Sequence, residues 1–249
     1  MLLLLLLFYY LYIFLLSYYL FLLFLLFIIL MSKTKQLITG PCGNLEIELD
    51  MPPASSPWVD SPRALALIAH PHPLRGGDMD NKVTTTLSRI CAGLGCASIR
   101  FNYRGVHNSE GVYDASIGEA EDAATALTWL QHHIPGGERL SILLGGFSFG
   151  TAVAARLALT LPEDRLLGMV LAGAAVPRFA QVNVNTNLTM MIHGELDETM
   201  PLSEIMEWTR PQNLPITIVP HADHFFHRQL VPLKKLATRH YDMALNQML

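Results

Sequence analysis

Apolar and polar residues follow one another along this chain in three rhythms. Residues 1–30 carry no charged side chain and are almost wholly Leu, Phe, Tyr and Ile. Residues 44–50 (NLEIELD) alternate with period two, which predicts a strand in an exposed hairpin, and residues 51–62 form a Pro/Ser-rich connection. From residue 64 onward short unbroken apolar runs take over. Runs at 64–70, 97–103, 140–147, 167–172, 188–193 and 216–220 predict buried strands. Between them, stretches at 81–94, 118–133, 149–161, 202–210 and 230–249 predict helices. Strands apolar on both faces and separated by helices imply an α/β architecture, a mostly parallel sheet covered on both sides. No internal repeat interrupts the order, so residues 36–249 read as one domain. Residues 173–187 are too few for a large helical lid, and an open site, roofed only by short loops, is expected.

The first rhythm is a separate matter. As a helix, residues 1–30 measure roughly 45 Å against a hydrocarbon core of about 30 Å. The basic start and small-residue cleavage site of a signal peptide are missing, so the run predicts an uncleaved transmembrane helix. Lys33 and Lys35 follow it directly, which places the folded domain on the cytosolic side of a membrane. The alternative is a start at Met31-Ser32-Lys33, with residues 1–31 absent and the protein cytoplasmic.

Composition narrows the partners. The 249 residues carry a formal charge of -4 without any basic block, so no nucleic-acid surface is expected. Cys42, Cys91 and Cys96 are odd in number and form no CxxC, which argues against a disulfide framework or zinc ribbon and for small buried fillers. Nothing in the pattern selects an oligomeric state.

Candidate chemistry begins at residues 140–150, LSILLGGFSFG. An apolar strand ends there in Gly-x-Ser-x-Gly, and a helix-forming run, TAVAARLALTL, follows. This is the setting of a nucleophile elbow, in which a sharp strand-to-helix turn forces the serine into a strained backbone conformation. Ser148 is thereby singled out. A serine hydroxyl is a poor nucleophile at neutral pH and needs a base beside it and a carboxylate to orient that base. Elbow hydrolases carry serine, acid and histidine in that chain order. Asp197, in HGELDETMP after the strand at 188–193, is favoured as the acid over Glu195 and Glu198. His224, in VPHADHFFHR after the strand at 216–220, is favoured as the base over His221 and His227, with Asp223 read as a helix cap. An oxyanion needs two donors. The backbone N–H of Phe149, at a helix start, is one. The other is sought in His70-Pro71-His72-Pro73-Leu74, where the prolines have no N–H to give; His72 is chosen over Leu74.

HPHPLRGGDMDNKV, IRFNYRGVHNSEG, GEAEDAATALTWL, GGFSFG, HGELDE and HADHFFH occur in this order over about residues 45–236. Together they resemble the compact serine hydrolases of the alpha/beta-hydrolase superfamily, specifically the lidless group with HPHP and GFSFG motifs. The resemblance implies an alpha/beta-hydrolase fold without a large lid and a Ser148, Asp197, His224 triad. It implies a small acyl-containing substrate and no metal or organic cofactor. It departs at two loop positions, His107 and Arg228, where the family usually has Gly; both bear on substrate access. The reaction expected is cleavage of an ester, thioester or related acyl bond.

Two rival readings use the same residues. A metallohydrolase could draw on His70 and His72 with His221, His224 or Asp223, since His-x-His at a strand end is one way to build a metal site. A binding protein could have kept the fold without the chemistry. Arg104 and Gly105 read as a structural arginine and a tight turn, and Glu119 and Asp122 as favourable charges at a helix start.

Overall fold

The computed structural model describes residues 10, 13–19 and 35–247. The chain divides into two compact units, Met1–Thr34 and Lys35–Leu249. In the first, the described residues are helical. The transmembrane helix expected over residues 1–30 is corrected here: among the described residues no helix is long and apolar enough to cross a membrane. The rest of that expected span, and the alternative start at Met31, lie outside the described residues.

The second unit holds eight strands: β1 (Gln36–Gly40), β2 (Gly43–Asp50), β3 (Leu65–Ala69), β4 (Ala97–Phe101), β5 (Ile142–Phe147), β6 (Leu166–Ala172), β7 (Thr189–Gly194) and β8 (Ile216–Val219). They form one sheet in the order β1-β2-β4-β3-β5-β6-β7-β8. The β1/β2 and β2/β4 pairs are antiparallel and every other pair is parallel. The helices are α1 (Lys82–Gly93), α2 (Ile117–His133), α3 (Phe149–Ala158), the single turn α4 (Val176–Phe179), α5 (Leu202–Thr209) and α6 (Leu230–Asn246). Only α4 stands between β6 and β7, so no lid is inserted there.

Alternation along the strands divides the core. Leu65, Leu67 and Leu144 face one side with Ala126, Leu130 and Ala155 of α2 and α3. Ala66, Ile68 and Leu143 face the other with Leu87 of α1 and Leu233 and Tyr241 of α6. Each fully buried Leu or Ile contributes about 1.5–3 kcal/mol relative to exposure, and an uninterrupted apolar strand is what two such faces require.

Three expectations need correction. β2 is not an exposed strand: Glu46, Glu48 and Asp50 are buried. Antiparallel pairing sets Glu48 opposite Arg100. The buried Arg100 guanidinium lies 2.7 Å from the Glu48 carboxylate and 3.0 Å from Asp50, and donates to the Met79 carbonyl at 2.7 Å. Glu48 and Asp50 therefore face a buried cation instead of water, while Glu46 accepts from the side-chain amides of Asn102 and Asn108. The edge strand on this side of the sheet is β1, whose QLITG lacks a long apolar run. Cys42 is exposed in the β1–β2 turn, whereas Cys91 and Cys96 are buried. Asp122 does more than favour a helix start: it is buried and grips Arg104 through both carboxylate oxygens, at 2.9 Å from Nη2 and 3.1 Å from Nε.

The two departures from the family pattern share a backbone conformation. His107 has φ 49 and Arg228 φ 60. Both lie in the left-handed region that glycine occupies without steric cost. His107 is tied by its ring Nε2 to Asp78 at 3.0 Å.

Candidate active site

Strand β5 runs into α3 through Ser148, whose φ of 52 and ψ of -122 leave it outside both helix and strand regions. Gly146 and Gly150 make the turn possible. A Cβ on Gly146 would overlap the Gly150 carbonyl, and one on Gly150 would overlap the carbonyl of Ala69 at the end of β3. The elbow is fastened to β6 by Ser148 N–H donating to Ala172 O at 3.0 Å. Thr151 adds a second tie, its hydroxyl donating to Ser148 O at 2.6 Å and accepting from Ala175 N at 2.8 Å.

His224 arrives from the loop after β8 and Asp197 from the loop after β7. The His224 Nδ1 lies 2.7 Å from Asp197 Oδ2, and its Nε2 lies 2.8 Å from Ser148 Oγ. A carboxylate accepts, so Nδ1 carries the ring proton and Nε2 is left to accept from the serine hydroxyl. Asp197 is held in turn by the N–H groups of Thr199 (3.0 Å) and Met200 (2.8 Å) on its other oxygen. All three side chains are buried, Ser148 the least so at 8% exposure.

The competing residues are elsewhere. Glu195 accepts from the His221 N–H at 2.9 Å, away from the imidazole of His224, and Glu198 is exposed. His221 and His227 are exposed, and Asp223 accepts from both the backbone N–H and the Nδ1 of His227. His70 is fully buried, with Nδ1 donating to Pro71 O at 2.8 Å and Nε2 accepting from Tyr103 N–H at 3.1 Å. Both ring nitrogens are thus occupied by backbone. Among the described residues no group of three His, Cys, Asp or Glu side chains is arranged to hold a metal ion.

Phe149 opens α3, so its N–H has no partner within the helix. His72 precedes a short 3-10 turn, Pro73–Arg75, and among the described residues its N–H goes to no backbone acceptor. Gly150 presses against the end of β3, which brings the loop carrying His72 alongside the start of α3. The two rings meet there, with the centroids of His72 and Phe149 5.0 Å apart; Tyr113 and Phe179 complete the cluster. Burial first, and the charge of Arg75 second, hold the His72 imidazole below its ordinary range.

A cavity of about 130 Å³ opens beside Ser148 and His224, walled by His72, Arg75, Arg178, Phe179, Met200 and Phe225 among others. Most of these wall residues escape sequence reasoning because they sit on turns whose facing is set only by the fold; Phe225 is apolar yet 49% exposed. A further residue is His193 of β7. It is fully buried under the acid, donates through Nε2 to Met200 O at 2.9 Å, and its Nδ1 has no partner among the described residues. Burial holds its imidazole below the ordinary range.

Comparison with known proteins bears on the family. Residues 123–213 match the family described as Phospholipase/Carboxylesterase. An uncharacterized protein of Rickettsia prowazekii is 44% identical over 104 residues, which are 41% of this chain and 43% of that protein, so the match spans less than half the relative's length. Among solved structures, an alpha-beta serine hydrolase homologue from Coxiella burnetii is 31% identical with a TM-score of 0.71, over 84% of this chain and 97% of that one. A serine hydrolase without lid from Xanthomonas campestris is 28% identical with a TM-score of 0.73, over 84% of this chain and 94% of the other. With its sheet order, its uninserted β6–β7 connection and these relatives, the chain belongs to the alpha/beta-hydrolase superfamily.

Proposed function

We propose that this protein is a serine hydrolase that cleaves a carboxylic ester, thioester or related acyl bond through a covalent acyl-enzyme. The observation that carries the reading is the unbroken relay from Ser148 Oγ to His224 Nε2 at 2.8 Å and from His224 Nδ1 to Asp197 Oδ2 at 2.7 Å. His224 takes the Ser148 proton as Oγ attacks the substrate carbonyl. Charge collects on the carbonyl oxygen, and the N–H groups of Phe149 and His72 stabilise it. The C–O or C–S bond then breaks, and His224 returns the proton to the leaving group. Water, deprotonated by the same imidazole, releases the acid and restores Ser148. Asp197 keeps the imidazole in the tautomer that can accept from Oγ.

Support also comes from the family match, whose description is phospholipase and carboxylesterase, and from relatives described as serine hydrolases. The test is covalent labelling by an alkyl fluorophosphonate, read by intact-protein mass, beside turnover of p-nitrophenyl esters and acyl thioesters. Wild type is expected to gain one adduct and Ser148→Ala none. Equal labelling of the two proteins, with no ester or thioester turned over, overturns the reading and leaves a non-catalytic binding role.

A further inference from the structure

We propose that Arg75 makes this site selective for short acyl esters or thioesters that carry an anionic group, a carboxylate or phosphate paired with its guanidinium. The inference rests on the hydrolase reading above and adds the substrate class. Its first ground is the composition of the cavity wall. The whole chain has a net charge of -4, yet the cavity beside Ser148 is lined by two arginines and by no Asp or Glu. Such a wall favours a negatively charged ligand and disfavours a cationic one.

The two arginines differ in what they have left to give. Arg178 is already engaged, with Nε and Nη2 donating to the two oxygens of Glu204 at 2.7 and 2.6 Å. Arg75 has no carboxylate partner among the described residues. Arg75 is exposed, and its backbone position is fixed by the turn. Arg75 N–H donates to His72 O at 3.1 Å, and Gly76, at φ 75, closes the turn by donating to Pro73 O. The free guanidinium therefore rides three residues beyond the backbone amide assigned to the oxyanion, on the same short turn.

Size and surroundings sharpen the choice. The volume of about 130 Å³ is close to the roughly 150 Å³ of an engineered cavity that accepts benzene, so it suits about six non-hydrogen atoms. That is the size of a short acyl chain ending in a carboxylate. A second cavity continues past Gly76, Asn81 and Phe225, and its wall mixes Asp78 and Asp80 with Lys82 and Arg228, so of these two the cavity beside Ser148 is the one whose charged side chains are all basic.

The test compares three thioesters of similar intrinsic reactivity: pentanoyl-N-acetylcysteamine, which is neutral; glutaryl-N-acetylcysteamine, with the anion on the acyl side; and S-pentanoyl-3-mercaptopropionate, with it on the leaving group. Each is assayed on wild type, Arg75→Gln and Arg75→Glu, corrected for Ser148→Ala, and each is also scored as a competitor of fluorophosphonate labelling so that a slow substrate still reports its affinity. In wild type at low salt, kcat/KM for one anionic thioester is expected to exceed that of the neutral one about tenfold, equivalent to about 1.4 kcal/mol. That ratio falls towards one in Arg75→Gln and inverts in Arg75→Glu, and it shrinks as salt is raised. Which anionic thioester shows it assigns the charge to one side of the scissile bond. Ser148-dependent turnover or competition without preference, or a preference that survives both substitutions, overturns the role of Arg75 and leaves the hydrolase reading standing. No turnover, no competition and no Ser148-dependent labelling overturns both.

Discussion

His70 and Tyr103 are joined face to face and at two further points. Their ring centroids are 3.7 Å apart, Tyr103 N–H donates to the His70 ring, and the Tyr103 hydroxyl donates to His70 O at 2.8 Å. Through this pair the end of β3 is clamped to the segment after β4, and the clamp fixes the start of the loop that carries His72 and Arg75. It also fixes the charge of His70, because an imidazole that must accept from a backbone N–H cannot take a second proton.

A pH dependence of stability follows. Burial, the leading cause, pushes the His70 imidazole down to about 3 from its ordinary 6.5. Below pH 6.5 the unfolded chain binds a proton that the folded chain refuses, so stability is full above 6.5 and is lost as pH falls towards 3. For one such group the slope is at most about 1.4 kcal/mol per pH unit. His193 and His240, also held down by burial, act in the same direction. Urea unfolding at pH 7, 6, 5 and 4 should show this fall, and His70→Asn should flatten it; an unchanged slope in that variant would remove His70 as its source.

The triad variants should not be equal. On the proposed mechanism, Ser148→Ala or His224→Ala lowers turnover by about a millionfold, and Asp197→Asn by about ten-thousandfold, because groups that act as one unit lose nearly everything with the first removal. Steady-state ester hydrolysis, with labelling by fluorophosphonate as a check on Ser148, measures it.

Strain at the elbow predicts that stability and activity part company. Ser148 holds φ 52 and ψ -122, a conformation that costs a residue with a Cβ about 1–3 kcal/mol. Ser148→Gly should therefore raise the thermal midpoint, whereas Ser148→Ala, which keeps the Cβ, should not gain the same relief. Calorimetry on the two inactive variants separates them.

Arg100 carries the opposite risk. Its removal leaves Glu48 and Asp50 buried beside a vacated cation site, and breaking a buried pair in this way costs about 3–5 kcal/mol. Chemical denaturation of Arg100→Ala should show a loss of that order, far larger than the effect of Lys35→Ala, whose partner Asp80 is exposed.

These contrasts show where the sequence is transparent and where it is not. The six parallel strands are legible because a strand covered on both faces is mostly apolar, as LALIA of β3 and ILLGGF of β5 are throughout. Ser148 is legible because a strained turn between strand and helix demands small flanking residues. β1 is not, since QLITG is a short edge strand with no apolar run of its own. Nor is the burial of Glu46, Glu48 and Asp50: their period-two pattern is that of a solvent-facing strand, and only the register against β4, which sets Glu48 across from Arg100, turns it inward. Arg75 and Arg178 escape for a related reason. A lone arginine on a turn has no periodicity to betray which way it points.

The contact of Gly150 with the end of β3 has an evolutionary side. It brings the loop carrying His72 against the start of α3 through main-chain atoms, and no exchange of one side chain for another, short of proline, can delete an amide hydrogen. The cavity walls, Arg75 included, are by contrast largely side chains on surface turns. On the proposed mechanism, a lineage can therefore reassign what enters this cleft by single codon changes while leaving the two amide donors untouched.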